Sequence, residues 1–262
     1  MIEYRWADGD YARLPELAQE LVRLKVDLIV AVASPCIRAA QQATTTIPIV
    51  MTGTGDPVGS GFAKSLARPG GNITGMSLGN LEISTKLLGL LKEIDPKLSH
   101  VALLSNPGSS TQAAFQKSIQ SAAQKVGVQV LPVESGTVAQ IEHAFPRMTQ
   151  AGVQALIISG DSFLNTQVRR IAELALSLHL PSITQIDDYA KVGGLISYGV
   201  NIAESFRRTA TYVDKILKGA KPGDLPIEQP TTYELIVNLK TARALGVKIS
   251  DTILLQATGV IE

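Results

Sequence analysis

Apolar and polar positions follow two alternating periods along most of the chain. Short, mostly apolar runs predict buried strands at residues 28–32 and 47–52, and further strands at residues 101–104, 128–133, 155–159 and 182–185. Between these runs apolar residues recur at helical spacing, as Leu14, Leu17 and Leu21 do near the start and Phe115 and Ile119 do further on. Strands that alternate with helices of this length indicate βαβ units and a parallel sheet, so the predicted fold class is α/β.

The alternation of strands and helices begins again after residues 77–81, which predicts two similar lobes. A lone strand at 194–200 and a helix at 203–218 follow the second run, and a proline-rich connection at 221–226 leads to a strand at 233–237. We infer that the chain crosses between the lobes three times. The predicted division assigns residues 1–78 and 198–226 to lobe one, and residues 79–197 and 227–262 to lobe two.

Weaker patterns predict three further elements. Residues 2–6 alternate apolar and polar positions, which is typical of a short strand. A helix carrying Val58, Phe62 and Leu66 is expected after the second buried strand, and a single helix is expected over residues 164–178. The sequence therefore predicts one more strand and two more helices beside the strands named above.

The composition argues against several classes of protein. The 262 residues are 45% hydrophobic, enough for a substantial core, and 24 Lys and Arg stand against 23 Asp and Glu. A formal net charge of +1 provides no field that would attract nucleic acid or an anionic membrane. No apolar run approaches the ~20 residues that span a bilayer. The first residues also lack the basic and apolar regions of a signal peptide.

The turns that follow the buried strands carry the candidate chemistry. Ser34 opens one turn, and residues 53–57 form the next. In an open parallel sheet, ligands bind at the carboxyl ends of strands, where such turns lead into the following helix. Asp56 either binds a ligand ammonium group or caps a helix, and the sequence favours neither role. Asp161 follows the strand at 155–159, and ligand contact is the favoured interpretation there.

Catalytic and metal-binding alternatives have little support in the sequence. Residues 53–59 match neither G-x-G-x-x-G nor a loop that ends in Gly-Lys-Ser or Gly-Lys-Thr. Cys36 lies in the first turn of a predicted helix, but no base is near it in the sequence. One cysteine and three scattered histidines also give no metal-ligand spacing. We therefore expect no catalytic residue, no metal and no cofactor.

Several segments, in their order and spacing, resemble a known family. They are VDLIVAVASP, TTTIPIVMTGTGDPVGSG, LARPGGNITGMS, STKLLGLLKEIDP, VALLSNPGSS and ALIISGD. Over essentially its whole length the chain resembles the substrate-binding proteins of ABC importers, in the TrpX-like group. The resemblance implies a type I periplasmic-binding-protein fold, with two Rossmann-like lobes of parallel sheets, a three-strand hinge, and ligand in the cleft between the lobes.

The resemblance also implies which residues contact the ligand. In lobe one they are Ser34, Thr54 and Asp56. In lobe two they are Asn106, Ser109, Ser110, Asp161 and Ser162. Gln185, which could instead cap a strand end, and Tyr198, which could instead pack at the hinge, are weaker candidates. The ligand implied is a small zwitterion, such as an aromatic or related amino acid.

The expected function is that of the solute-binding component of an ABC importer, which is not an enzyme. Its partners would be the ligand, a membrane permease and an ATPase, with no nucleic acid, and we expect a monomer. The full-length protein would be periplasmic or lipid-anchored outside the cytoplasm. Two alternatives stay open: the ligand-sensing core of a regulator or receptor, and a small two-lobed isomerase or racemase.

The start of the chain departs from the pattern of this group. Its members begin with a signal peptide, a strand and a helix, and only then reach a segment similar to residues 2–11, IEYRWADGDY. In the doubly wound strand order, the missing strand would lie between residues 2–6 and residues 28–32. The expectation is therefore that Met1 stands at an internal position of a longer protein, whose first strand and helix this chain lacks.

Overall fold

The computed structural model describes residues 1–109 and 112–262, and for residues 80–82 it describes the backbone alone. The chain divides into two units. Unit one consists mainly of Met1–Asn80 and Ile202–Thr231, and unit two of Leu81–Gly108, Gln112–Asn201 and Thr232–Glu262. The lobe boundaries that the sequence places after residues 78, 197 and 226 stay a prediction.

Both units are built from alternating strands and helices. The helices are α1 Leu14–Arg23, α2 Ser34–Ala43, α3 Asn80–Ile94, α4 Gln112–Lys125, α5 Val138–Gln150, α6 Ser162–Thr166, α7 Val168–Ser177, α8 Ile202–Leu217, α9 Leu239–Leu245 and α10 Asp251–Gln256. The strands are β1 Ile29–Val32, β2 Ile49–Thr54, β3 Ile73–Ser77, β4 His100–Ser105, β5 Gln129–Glu134, β6 Ala155–Ile158, β7 Ser182–Thr184, β8 Ile196–Val200, β9 Tyr233–Asn238 and β10 Gly259–Ile261. The predicted α/β class is confirmed.

Unit one has a three-stranded parallel sheet in the order β1-β2-β3. Ile29 pairs with Ile49, which in turn pairs with Ile73, so the three strands begin level with one another. Because the first half of the middle strand is apolar, with side chains on both faces, both faces need cover. Helix α2 packs against one face, and Tyr212 and Ile216 of α8 pack against the other.

Unit two has a seven-stranded sheet in the order β10-β9-β8-β7-β6-β4-β5. Its neighbouring strands are parallel except for the antiparallel pair β8 and β9. Along β4, Val101 and Leu103 join one hydrophobic core, whereas Ala102 and Leu104 join another. Alternate residues of a strand point to opposite faces, so this sheet is covered on both sides and its inner strands appear in the sequence as unbroken apolar runs.

The strand predicted at residues 2–6 is wrong. These residues belong to no regular element, and Ile2, Tyr4 and Trp6 are exposed. An alternating apolar pattern forms a strand only where another strand pairs with its backbone. In the part of the chain that the structure describes, no strand pairs with this segment, and the sheet of unit one begins with β1.

The helix predicted over residues 58–66 is also wrong. The Asp56 carboxylate accepts a hydrogen bond from Gly59 N at 2.8 Å, and Gly61 has a φ of 71°, so the backbone turns here. Phe62 is nevertheless buried in the core of unit one. The apolar spacing therefore predicted burial correctly but not the conformation that achieves it.

The helix predicted over residues 164–178 is two helices, α6 and α7, which meet at Gln167. The φ of Gln167 is −107°, outside the helical range, and this single residue separates the two. The apolar face of α7 is buried as expected, with Ile171, Ala172 and Ala175 inside.

The contact between β2 and β3 leaves no room for a side chain at Gly75. Gly75 pairs with Met51, has a φ of 133°, and would place a Cβ 2.2 Å from the Met51 carbonyl oxygen. We expect Gly75→Ala to lower the free energy of unfolding by about 1–3 kcal/mol, because the two backbones must move apart. Urea denaturation measures this change.

Gly71→Ala is the matched control in the same unit. Nothing lies within 4 Å of the position that its Cβ would take, and its φ is not positive. This control should change the free energy of unfolding by less than about 0.5 kcal/mol. Equal stability of the two variants would contradict the close approach of β2 and β3.

Candidate functional site

Three hydroxyl residues at the carboxyl ends of the strands form the polar edge of unit one. They are Ser34, Thr54 and Ser77, and all three are buried. The Ser34 hydroxyl donates to Oγ1 of Thr54 at 2.9 Å, and the Ser77 hydroxyl donates to the Thr54 carbonyl oxygen at 3.2 Å. Ser34 and Thr54 are expected from the sequence, but Ser77 is not. Its position at the end of a buried strand is the signal that could have identified it.

Ala33 joins β1 to α2 through an unusual backbone conformation, with φ 70° and ψ 153°. Its N–H donates to the Thr52 carbonyl oxygen at 2.9 Å, and its own carbonyl accepts from Ile37 N at 3.1 Å. A residue other than glycine in this region costs on the order of 1–3 kcal/mol, which the surrounding contacts must offset. These two hydrogen bonds set the direction in which α2 leaves the sheet, and with it the position of Ser34.

Asp56 closes the turn that follows β2. Its Oδ1 accepts from Gly59 N, and a Cβ at Gly59 would lie only 2.1 Å from Asp56 Oδ2. Of the two roles that the sequence leaves open, the structure shows one that resembles capping, although the capped element is a turn. Ligand contact by Asp56 stays a prediction.

Asn106, Asp161 and Gln185 form the polar edge of unit two, where they follow β4, β6 and β7. Asn106 Nδ2 donates to Asp161 Oδ1 at 3.0 Å. The same oxygen accepts from the backbone N–H groups of Phe163 at 2.9 Å and Leu164 at 3.1 Å, and so caps α6. Asp161 is therefore held in one orientation by donors from its own helix and from a neighbouring strand.

Gln185 lies against the residue that precedes Asp161. A Cβ at Gly160 would be 3.7 Å from Cδ of Gln185, which is ordinary contact distance. Its backbone is also close to β8, since a Cβ at Gly199 would lie 2.1 Å from the Gln185 carbonyl oxygen. The structure thus brings together three of the residues that the sequence predicts in lobe two.

Ser135 is a further polar residue at this edge, and the sequence does not predict it. It follows β5, its N–H donates to the Ser105 carbonyl oxygen at 2.8 Å, and its hydroxyl is buried without a hydrogen-bond partner among the described residues. The next residue, Gly136, lies close to Asn106: a Cβ there would be 3.3 Å from Asn106 Oδ1. A buried hydroxyl without a partner costs about 1–3 kcal/mol, so Ser135 is a candidate for ligand or water contact.

The remaining predicted residues are placed differently. Ser109 is partly buried in the loop after β4, Ser162 is the exposed first residue of α6, and Ser110 lies outside the described residues. Tyr198, in β8, stacks on Tyr233 with 5.7 Å between ring centroids. The Lys86 ammonium group lies 5.9 Å from the centroid of the Tyr198 ring, and burial raises the pKa of the Tyr198 hydroxyl.

The described residues offer little for catalytic chemistry. Burial raises the pKa of the Cys36 thiol, which disfavours the reactive thiolate. Among the described residues no group of three or more His, Cys, Asp and Glu side chains is arranged to hold a metal ion. Within the same residues, no helix has both the length and the apolar character needed to cross a bilayer.

Asp187 and Asp188 follow Gln185 in the same turn. Burial raises the pKa of the Asp187 carboxyl, and the neighbouring charge of Asp188 raises it further, while Lys191 lowers it. Lys191 Nζ forms an exposed ion pair with Asp188 Oδ1 at 2.9 Å. The ionised form of Asp187 is therefore destabilised by burial and by the neighbouring negative charge, whereas the charge of Asp188 is paired with that of Lys191.

Comparison with known proteins assigns the chain that carries these two polar edges to a family. The profile of the ABC transporter substrate-binding proteins matches residues 1–261, and the chain belongs to this family. A tyrosine-binding protein of Clostridioides difficile strain R20291 is 27% identical over 247 residues, which cover 94% of this chain and 71% of that protein.

Solved structures agree with the family. The ABC domain from Streptococcus pneumoniae in complex with L-Trp is 26% identical, with a TM-score of 0.93 over 99% of this chain and 87% of that chain. The ligand-free, open form of a substrate-binding protein with adhesive properties from Clostridium difficile is 25% identical, with a TM-score of 0.68 over 99% and 86%. The predicted family and the type I periplasmic-binding-protein fold are confirmed.

The raised pKa of Asp187 predicts how the stability of the folded state depends on pH. The folded state holds this proton more tightly than the unfolded state, whose pKa is about 3.8. Asp187 therefore makes its full contribution to the stability of the folded state at a pH below 3.8. This contribution is lost as the pH rises through the pKa of the folded state. Asp187→Asn cannot ionise, so this variant should unfold at a higher temperature than the natural chain at neutral pH. The difference should vanish in acid.

Asp188→Asn is the control, because it removes a carboxylate that an exposed lysine compensates. This variant removes the repulsion on Asp187 but also the Asp188–Lys191 ion pair, so its gain in stability at neutral pH should be smaller than that of Asp187→Asn. Thermal unfolding followed by circular dichroism, from acid to neutral pH, measures all three chains. If Asp187→Asn were no more stable than the natural chain at neutral pH, the burial of this carboxylate would not be the dominant influence.

Proposed function

We propose that this protein is the extracytoplasmic solute-binding component of an ABC importer and that its ligand is an amino acid, most favourably an aromatic one. The observation that carries the proposal is the Asn106–Asp161 pair at the polar edge of unit two. Two relatives support the choice of ligand, since one is a tyrosine-binding protein and the other was solved with L-Trp.

Asp161 is suited to recognise an ammonium group. Three donors converge on Oδ1 and fix the carboxylate, so its orientation does not have to be paid for when a ligand binds. A hydrogen bond to a charged group contributes about 1.5–3 kcal/mol, more than a neutral one. A fixed carboxylate can therefore distinguish a zwitterionic amino acid from an acid of the same shape.

The polar edge of unit one offers groups that suit an anion. Ser34 and Thr54 supply hydroxyl groups, and α2 begins at Ser34, so the positive end of its dipole lies at this edge. Hydroxyl groups and a helix N-terminus favour a carboxylate. Taken by itself, the edge of unit one is therefore suited to bind a carboxylate group.

Binding and release, without chemical conversion, are the activity of such a component. Transport requires only that the ligand-bound state differ from the free state in a way that a partner recognises, and no reactive group is needed. The polar edges, made of hydroxyl, amide and carboxylate groups, fit this requirement. The partners in the proposal are a membrane permease and its ATPase.

The Asp161→Asn variant tests the role of the charge. Asparagine caps helices about as well as aspartate, so the amide oxygen can keep the contacts with α6 and the fold should be retained. We expect the dissociation constant for L-Trp or L-Tyr, measured by isothermal titration calorimetry, to rise at least tenfold, which is about 1.4 kcal/mol. Asp188→Asn, an exposed substitution in the same unit, should leave the constant unchanged.

A ligand that lacks only the ammonium group makes this test specific. The natural chain should bind 3-indolepropionate much more weakly than L-Trp, whereas Asp161→Asn should bind the two with similar affinity. Equal loss of affinity for both ligands would contradict ammonium recognition by Asp161. If no aromatic amino acid raised the unfolding temperature of the natural chain, the assignment of ligand class would be wrong.

A further inference from the structure

The end of β2 is held less firmly by its sheet than the rest of the strand. The pairing of β2 with β1 ends at Thr52, and its register with β3 shifts between Met51 and Thr54. Thr54 carries one of the hydroxyl groups of the unit-one edge and accepts from Ser34 at 2.9 Å. Strand pairing holds Thr54 on the β3 side alone, so its position also depends on the turn that follows it.

The turn after β2 takes its shape from local hydrogen bonds. We name residues 56–62 the β2 turn. Phe62 N donates to the Pro57 carbonyl oxygen at 2.9 Å, and Ser60 N donates to the Asp56 carbonyl oxygen at 3.0 Å. Phe62 is buried, and its ring lies in the core of unit one. These bonds fold the turn on itself, but its placement beside the sheet requires contacts with another element.

Two side chains of α2 supply those contacts. Arg38 donates through Nη2 to the Ser60 carbonyl oxygen and through Nη1 to Gln41 Oε1, the latter at 2.6 Å. Gln41 Nε2 donates in turn to the Gly61 carbonyl oxygen at 2.8 Å. The guanidinium carbon of Arg38 also lies 4.6 Å from the centroid of the Phe62 ring. Helix α2 therefore holds two successive carbonyl groups of the β2 turn and the ring at its end.

The two side chains share a face of α2 with Ser34. Arg38 is four residues after Ser34, and Gln41 is three residues after Arg38, so the three side chains follow one another along the helix. Ser34 contacts Thr54, whereas Arg38 and Gln41 contact the β2 turn. Both hydrogen-bond acceptors of Arg38 are neutral oxygens, so these bonds connect two elements and do not neutralise a charge.

We propose that Arg38 is a positioning residue for ligand binding at the edge of unit one. It holds the β2 turn against α2 and so keeps the hydroxyl groups of Ser34 and Thr54 arranged before a ligand arrives. The inference rests on the proposed function, because it takes the ligand to be an amino acid. A site arranged in advance binds more tightly, since less freedom is lost on binding. This edge suits an anion, so loosening it should weaken the contribution of a ligand carboxylate above all.

Arg38→Met tests the role of these contacts. Methionine keeps an unbranched apolar side chain over Phe62 and removes the hydrogen bonds to Ser60 and Gln41. Isothermal titration calorimetry compares L-Trp with L-tryptophanamide, in which a neutral amide replaces the carboxylate. We expect the dissociation constant for L-Trp to rise about fivefold or more, and that for the amide to change less than about twofold. A purely structural role would weaken the binding of both ligands alike.

Three further variants separate the contacts of Arg38 from its charge. Gln41→Leu removes the bond to Gly61 without a change of charge, and should show the same selective loss to a smaller extent. Arg38→Lys keeps a donor for the Ser60 carbonyl and should recover most of the affinity for L-Trp. Arg68→Met is the matched control, since Arg68 is exposed in the same unit, and it should bind both ligands like the natural chain. Circular dichroism checks that each variant is folded, and Gln41→Leu carries the test if Arg38→Met is not.

Two results would overturn this inference alone. One is binding of L-Trp by the natural chain with no loss, or with equal loss for both ligands, in Arg38→Met and Gln41→Leu. The other is unchanged hydrogen exchange at the backbone N–H groups of Ser60 and Phe62 in Arg38→Met, because the β2 turn would not have been loosened. If the natural chain bound no aromatic amino acid, the proposed function would be wrong, and this inference with it.

Discussion

Parallel pairing of short buried strands is the constraint on which both units depend. Helices cover both faces of the inner strands, so most positions along those strands must be apolar. Polar side chains are accommodated best where a strand ends and its turn begins. Because parallel strands end at the same edge, residues from distant turns meet there, as Ser34 meets Thr54 in unit one and Asn106 meets Asp161 in unit two.

One carboxylate oxygen illustrates how such an edge serves folding and, in the function that we propose, binding as well. Asp161 Oδ1 caps α6 by accepting hydrogen bonds from two backbone N–H groups. It also accepts a hydrogen bond from the side-chain amide of Asn106, in the turn after β4. A capping role and a ligand-binding role are often treated as alternatives. Here the capping contacts hold the carboxylate in place, which is the condition for selective recognition of a charged ligand group.

The departures from expectation have one physical origin. Apolar spacing records which residues avoid water, but it does not record what they are buried against. Phe62 is buried as expected although its segment turns instead of forming a helix, because Asp56 and two glycines favour the turn. Residues 2–6 have the pattern of a strand, but no strand of the described structure pairs with them, so the pattern is present without the structure. The short strand β10, of three residues, was too weak a signal to predict.

The sequence by itself determined the α/β class, the positions of most strands, the turns where polar residues collect, and the family, because each depends on local periodicity or on residues in fixed order. The expected burial of the strand at 28–32 on both faces is wrong, because Val30 and Val32 of β1 are exposed. The tertiary structure decided which of those turns meet. Asn106 and Asp161 are 55 residues apart in the chain, and only the placement of β4 beside β6 brings them within 3.0 Å. It also decided that β9 runs antiparallel to β8 and that Ser77 and Ser135 lie at the polar edges. Strand order and direction follow from how whole elements pack, which the local pattern does not encode.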